Sequence, residues 1–76
     1  MINVRYHAAL KRNSPNYKGF ETKEIVYTQG LTIKQIIKFL NLDEVGIIVI
    51  NRKLTHEEGI LADEDNVEFH PFVGGG

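Results

Sequence analysis

Only one stretch of this 76-residue chain carries the period of a helix, and strand patterns surround it on both sides. Ile33, Ile36, Ile37 and Leu40 recur at i, i+3, i+4 and i+7, which gathers them on one helical face. Thr32-Ile33-Lys34-Gln35 reads as a capping box, with Thr32 accepting from the backbone at Gln35 and Gln35 reaching back. Leu31 and Ile36 are spaced as a hydrophobic staple. These signals place a helix over about 32–41.

The remainder alternates or runs apolar in short segments. Ile2, Val4, Tyr6 and Ala8 alternate with Asn3, Arg5 and His7, which predicts a half-buried strand. Ala9 to Asn13 allows one helical turn, which Ser14-Pro15-Asn16 and Gly19 interrupt. Phe20 to Tyr27 is a second strand candidate. Gly46-Ile47-Ile48-Val49-Ile50 predicts a strand covered on both faces, or covered on one and offered to a partner on the other. Asn51-Arg52-Lys53 turns the chain into a short return strand at Leu54-Thr55. Ile60 and Leu61 are expected to plug the core. Asp63 to Asn66 forms a turn, and Val67 and Phe69 alternate with Glu68 and His70 in a last strand that Pro71 ends. The order is strand, strand, helix, strand, short strand, strand. It predicts an α+β, β-grasp (ubiquitin-like) domain over 1–70, a mixed four- to five-stranded sheet wrapped on one main helix. Residues 71–76 are expected to form a flexible glycine-rich tail.

A chain this short buries only about 60% of its unfolded surface and holds one domain. Its net charge of −1 argues against a dedicated nucleic-acid binder. It has no Cys, which removes disulfides, thiolate nucleophiles and zinc–thiolate or iron–sulfur centres. The longest apolar run is Ile47 to Ile50, too short to span a membrane, and the alternating start does not read as a secretory signal. A cytoplasmic protein is expected.

Side chains offer little chemistry. His7 and His70 face one side if the first and last strands pair, but no third ligand is placed with them, and both read as interface histidines. His56 sits in a polar loop. Glu57, Glu58, Asp63, Glu64, Asp65 and Glu68 contrast with a basic N-terminal third, which suits solvated loops or electrostatic steering of a partner. The serines and threonines form no nucleophile motif, and no phosphate-binding loop is present.

That leaves the end, Val73-Gly74-Gly75-Gly76. A frayed terminus is one reading. The other is chemical. A terminal carboxylate ionises near pH 3.3–3.7 and is a poor electrophile until activated, for example as an acyl-adenylate. Glycines lacking Cβ pass a narrow channel, and an extended 71–76 segment reaches roughly 20 Å.

Several segments resemble the MoaD/ThiS sulfur-carrier family along essentially the whole chain. Val4-Arg5-Tyr6-His7-Ala8-Ala9-Leu10-Lys11-Arg12 is similar to V-x-Y-F-A-x-L-R-E, and Gly30-Leu31-Thr32-Ile33 to G-x-T-V. Ile48-Val49-Ile50-Asn51 resembles V-A-V-N. Leu61 to Phe69 resembles L-x-D-G-D-E-V-x-F. Pro71-Phe72-Val73-Gly74-Gly75-Gly76 resembles P-P-V-A-G-G. Arg52 and Glu64 stand where the family has Gly, which predicts altered turns. His7 and His70 replace common aromatics, and Phe72 a common Pro.

The resemblance implies a sulfur carrier rather than an enzyme. An E1-like adenylating enzyme (MoeB/ThiF type), using ATP and magnesium, would activate Gly76, next to Gly75. Sulfur would then displace AMP to leave a Gly76 thiocarboxylate. His70, Pro71, Phe72, Val73 and Gly74 would contact partners, with no bound cofactor or metal. The long 9–19 stretch favours the MoaD type, the small subunit of molybdopterin synthase, whose partner is the large subunit. The alternatives are a ThiS-type carrier serving thiazole synthase in thiamin formation, and a ubiquitin-like modifier joined to lysines.

Overall fold

A computed structural model describes residues 1–11 and 19–72. The strands are β1 (Ile2–His7), β2 (Phe20–Ile25), β3 (Val45–Ile50), β4 (Lys53–Thr55) and β5 (Asn66–Pro71), with one helix, α1 (Ile33–Phe39), between β2 and β3. They form a single sheet in the order β2-β1-β5-β3-β4. β1 and β5 run parallel, and the other three pairs are antiparallel. This is the expected β-grasp fold, with five strands.

Alternation in β1 and β5 sorts the two faces of the sheet. Ile2, Val4, Tyr6, Val67 and Phe69 are buried on the inner face with Ile48. Ile33, Ile36 and Leu40 of the helical stripe close over them, and Leu10, Leu42 and Leu61 complete the cluster. Each such side chain contributes about 1.5–3 kcal/mol on burial. No buried side-chain nitrogen or oxygen among the described residues lacks a hydrogen-bond partner.

The helix begins as its sequence predicts. Thr32 accepts from Gln35 N at 3.3 Å, and Thr32 N donates to Gln35 Oε1 at 2.9 Å. It ends earlier, at Phe39, with Leu40 as C-cap. Asn41 takes φ 56°, Asn41 N donates to Lys38 O, and Leu42 N donates to Ile37 O. This pair of bonds is a Schellman stop, and Asn tolerates the left-handed position it needs.

β2 stops at Ile25, not Tyr27, because Ile25 already pairs with Ile2 at the start of β1 and no partner strand remains. Val26 is exposed, while Ile25 and Tyr27 rest against the core. The early helical turn is a 3-10 turn at Ala8–Leu10, where His7 Nδ1 caps one N–H by accepting from Ala9 N at 3.0 Å. Asn13 and the Ser14-Pro15-Asn16 breaker lie outside the described residues.

Three expectations are corrected or resolved. Ile60 is not a core plug. It is 72% exposed, because the extended chain that turns Leu61 inward turns Ile60 out. Ile47 to Ile50 divide between the faces: Ile48 and Ile50 pack inward, and Ile47 and Val49 pair with His70 and Glu68 on the outer face. Arg52 and Glu64 sit in turns at positive φ. Both take φ 71°, the left-handed geometry that glycine otherwise supplies. Asn51 at φ 48° and Arg52 join Ile50 to its partner Lys53 as a two-residue hairpin loop.

Candidate functional site

The strand that leads to the C-terminus is the middle one of the sheet, held by β1 on one side and β3 on the other. Its last residue, Pro71, is half-buried and pairs with Val45. Between that pair and the next, Ile47 with His70, the register shifts by one residue, a bulge on β3 that contains Gly46. The shift lets Val45 face the core although Ile47 faces out.

Phe72 follows directly. Its side chain is 77% exposed. Its backbone lies so close to Gly46 that a Cβ there would sit 2.5 Å from Phe72 Cα and 2.6 Å from Phe72 N. The last described residue of the chain is therefore laid against a glycine. Of the residues expected to carry function, His70, Pro71 and Phe72 gather at this point; Val73, Gly74, Gly75 and Gly76 lie outside the described residues.

The outer face beside it is built around one ring. Phe20, on edge strand β2, pairs with His7. Its ring meets the His7 ring edge-on at 5.3 Å and reaches across β1 to the His70 ring at 5.5 Å. The Arg5 guanidinium lies over the same ring, 4.2 Å from its centre. A cation over an aromatic face at an exposed site contributes about 0.5–1 kcal/mol. His70 Nε2 is 3.1 Å from Glu68 Oε1. His7 and His70 do share a face, as expected, but with the Phe20 ring in contact with both. Phe20 and Ile47 keep 40% and 38% exposure. The surface thus offers apolar area framed by one cation, two imidazoles and a carboxylate, a composition suited to a protein partner.

Sequence alone places Arg5 and Phe20 on strands but does not bring them to this site. The link from His7 to Phe20 depends on the β1–β2 register, which the long 8–19 connection leaves unspecified in sequence. Gly46 did carry a readable signal, a lone glycine inside a strand pattern.

The acidic residues do not converge. Asp63 holds the N-terminal ammonium at 2.7 Å. That hydrogen bond keeps the Asp63 carboxyl below, and the ammonium above, their ordinary pKa. Asp65 accepts from Ala62 N and Asn51 Nδ2. Glu57 uses its backbone carbonyl to accept from Lys34 N. Among the described residues, no three His, Cys, Asp or Glu side chains are grouped to hold a metal ion, and no helix is long and apolar enough to cross a membrane.

Comparison with known families decides the assignment. The model of the ThiS family matches residues 8–76, from the turn after β1 through the terminal glycines. The chain belongs to the ThiS family. Members are small ubiquitin-like sulfur carriers, not enzymes themselves, that interact with E1-like adenylating enzymes and with synthase partners. No curated protein matches the chain. The outer-face ring cluster and the Gly46–Phe72 contact lie at the end of the central strand β5.

Proposed function

We propose that this ThiS-family protein is a MoaD-type carrier that donates sulfur from a Gly76 thiocarboxylate in molybdopterin biosynthesis, as the small subunit of molybdopterin synthase. The observation that carries the sulfur-carrier part of this reading is the family match running through Gly76. The connection from His7 to Phe20, residues 8–19, supports the MoaD type, because ThiS-type chains usually have a shorter first hairpin.

The chemistry follows from the terminal carboxylate. An E1-like enzyme of the MoeB/ThiF type binds the outer sheet face and draws Gly75 and Gly76 into its ATP site. A Gly76 carboxylate oxygen attacks the α-phosphorus of ATP, and magnesium pyrophosphate leaves. Hydrosulfide then attacks the acyl carbon and AMP leaves, giving the thiocarboxylate and releasing a proton. The sulfur must be external, since the chain has no Cys. His70, Pro71, Phe72, Val73 and Gly74 guide the tail, and no bound cofactor is required of this chain. The activity belongs to the cytoplasm, where ATP and the activating enzyme are available.

The test is acceptor choice. Thiocarboxylated protein is supplied in parallel to a molybdopterin synthase large subunit with its pterin precursor and to a thiazole synthase with its substrates. Sulfur transfer to the pterin alone is expected. Transfer to the thiazole alone assigns the protein to thiamin formation instead, and isopeptide-linked lysines in place of either product assign it as a modifier.

A further inference from the structure

We infer that Gly46 is a positioning residue for the C-terminal tail: by presenting no side chain to Phe72, it fixes the direction in which the chain leaves the sheet. The inference rests on the carrier reading, because it concerns delivery of Gly76 to an activating enzyme. Two observations meet at this point. Gly46 lies in the one register shift between β3 and β5, so the strand is re-aimed where β5 ends. And the atoms a Cβ at 46 would strike are the backbone of Phe72, its Cα at 2.5 Å and its N at 2.6 Å, together with its Cβ at 2.8 Å. A flexible side chain could swing aside, but backbone cannot.

The contact is not needed to close the core. Phe72 is exposed, and Val45, which pairs with Pro71, already packs against the core beside it. Its consequence is directional. Carbon atoms rest at about 3.5–4.0 Å, so a methyl at 46 displaces Phe72 by roughly 1 Å. The ring cluster of the outer face (Arg5, His7, Phe20, His70) includes neither Gly46 nor Phe72. Misplacing reacting groups by about 1 Å costs up to on the order of 100-fold in rate.

The experiment compares Gly46→Ala with the wild type as substrate for the E1-like enzyme, reading AMP formation against carrier concentration. A fall in kcat of about tenfold with KM within twofold is expected, because docking is unchanged and delivery is not. Wild-type kcat in a folded variant overturns the inference, as does a rise in KM at constant kcat, which would make Gly46 part of the docking face. An inactive wild type with a demonstrably active enzyme is instead a failure of the carrier reading. A second measurement needs no variant. The 15N heteronuclear NOE of the Phe72 amide should equal those of Phe69 and His70. A Phe72 value well below theirs overturns the inference even if Gly46→Ala does not fold.

Discussion

Asn51 Nδ2 donates to Asp65 Oδ1 at 2.9 Å, tying the β3–β4 hairpin loop to the turn that precedes β5. Asp65 Oδ2 accepts from Ala62 N at 2.8 Å, and Asn51 Oδ1 accepts from Asn66 N at 2.9 Å. The two turns are thereby one hydrogen-bonded unit. It fixes where β5 begins, and hence where the chain leaves the sheet at the other end.

Asp65→Ala removes two of these bonds at once. Each contributes about 0.5–1.5 kcal/mol net, so urea unfolding should show a loss of about 2 kcal/mol. A cycle with Asn51→Ala should give a coupling energy of about 1 kcal/mol. Additive losses would show that the loop and the turn are energetically independent.

Arg52 and Glu64 hold φ 71° without being glycine. The left-handed region costs an L-residue about 1–2 kcal/mol, partly offset by the greater freedom glycine has when unfolded. Arg52→Gly is expected to raise stability by about 0.5–1 kcal/mol, and Glu64→Gly to do likewise. Unfolding midpoints for the two single variants check this, and a fall in either midpoint contradicts it.

Tyr6 has no exposed surface and donates its hydroxyl to Glu21 Oε1 at 2.9 Å. Burial first, then the Glu21 carboxylate, pushes its pKa up to about 12. Below pH 10 the phenol is protonated in both folded and unfolded chains, and its contribution is fully present. Between pH 10 and about 12 the unfolded chain releases the proton first, so stability falls, by at most about 1.4 kcal/mol per pH unit. Tyr6→Phe should lose the hydrogen bond at neutral pH and lack this part of the alkaline slope. Equal slopes for both proteins would remove Tyr6 as its source.

Phe20 links Arg5, His7 and His70 on the outer face. If that face docks the activating enzyme, Phe20→Ala should raise its KM for the carrier about tenfold, or about 1.4 kcal/mol, and leave kcat nearly unchanged. An unchanged KM places docking elsewhere. This split is the opposite of the one expected for Gly46→Ala.

The elements legible in sequence are those whose signals are local. The Thr32–Gln35 capping box, the isoleucine stripe of α1 and the alternation of Ile2 to Tyr6 each specify their own geometry, and the strand and helix order then admits few folds. The misreadings share one cause, dependence on a partner distant in sequence. Ile60 looks like Leu61 until the Thr32 bridge sets which of them turns inward. Ile47 and Ile48 cannot be told apart until β5 sets the register. Phe20 joins the site only because β2 pairs with β1. The left-handed turns at Arg52 and Glu64 are written in the architecture around them and not in their own side chains.

The central claim, that this chain's own chemistry is its terminal carboxylate, is tested most directly by intact mass and thiocarboxylate-selective alkylation after incubation with the activating enzyme, ATP and sulfide. Alkylation of the wild type and none of a Gly76-deleted protein with an unchanged fold is the predicted result. Alkylation that maps to any residue other than the C-terminal one, or no alkylation of the wild type by an enzyme shown to be active, would contradict it.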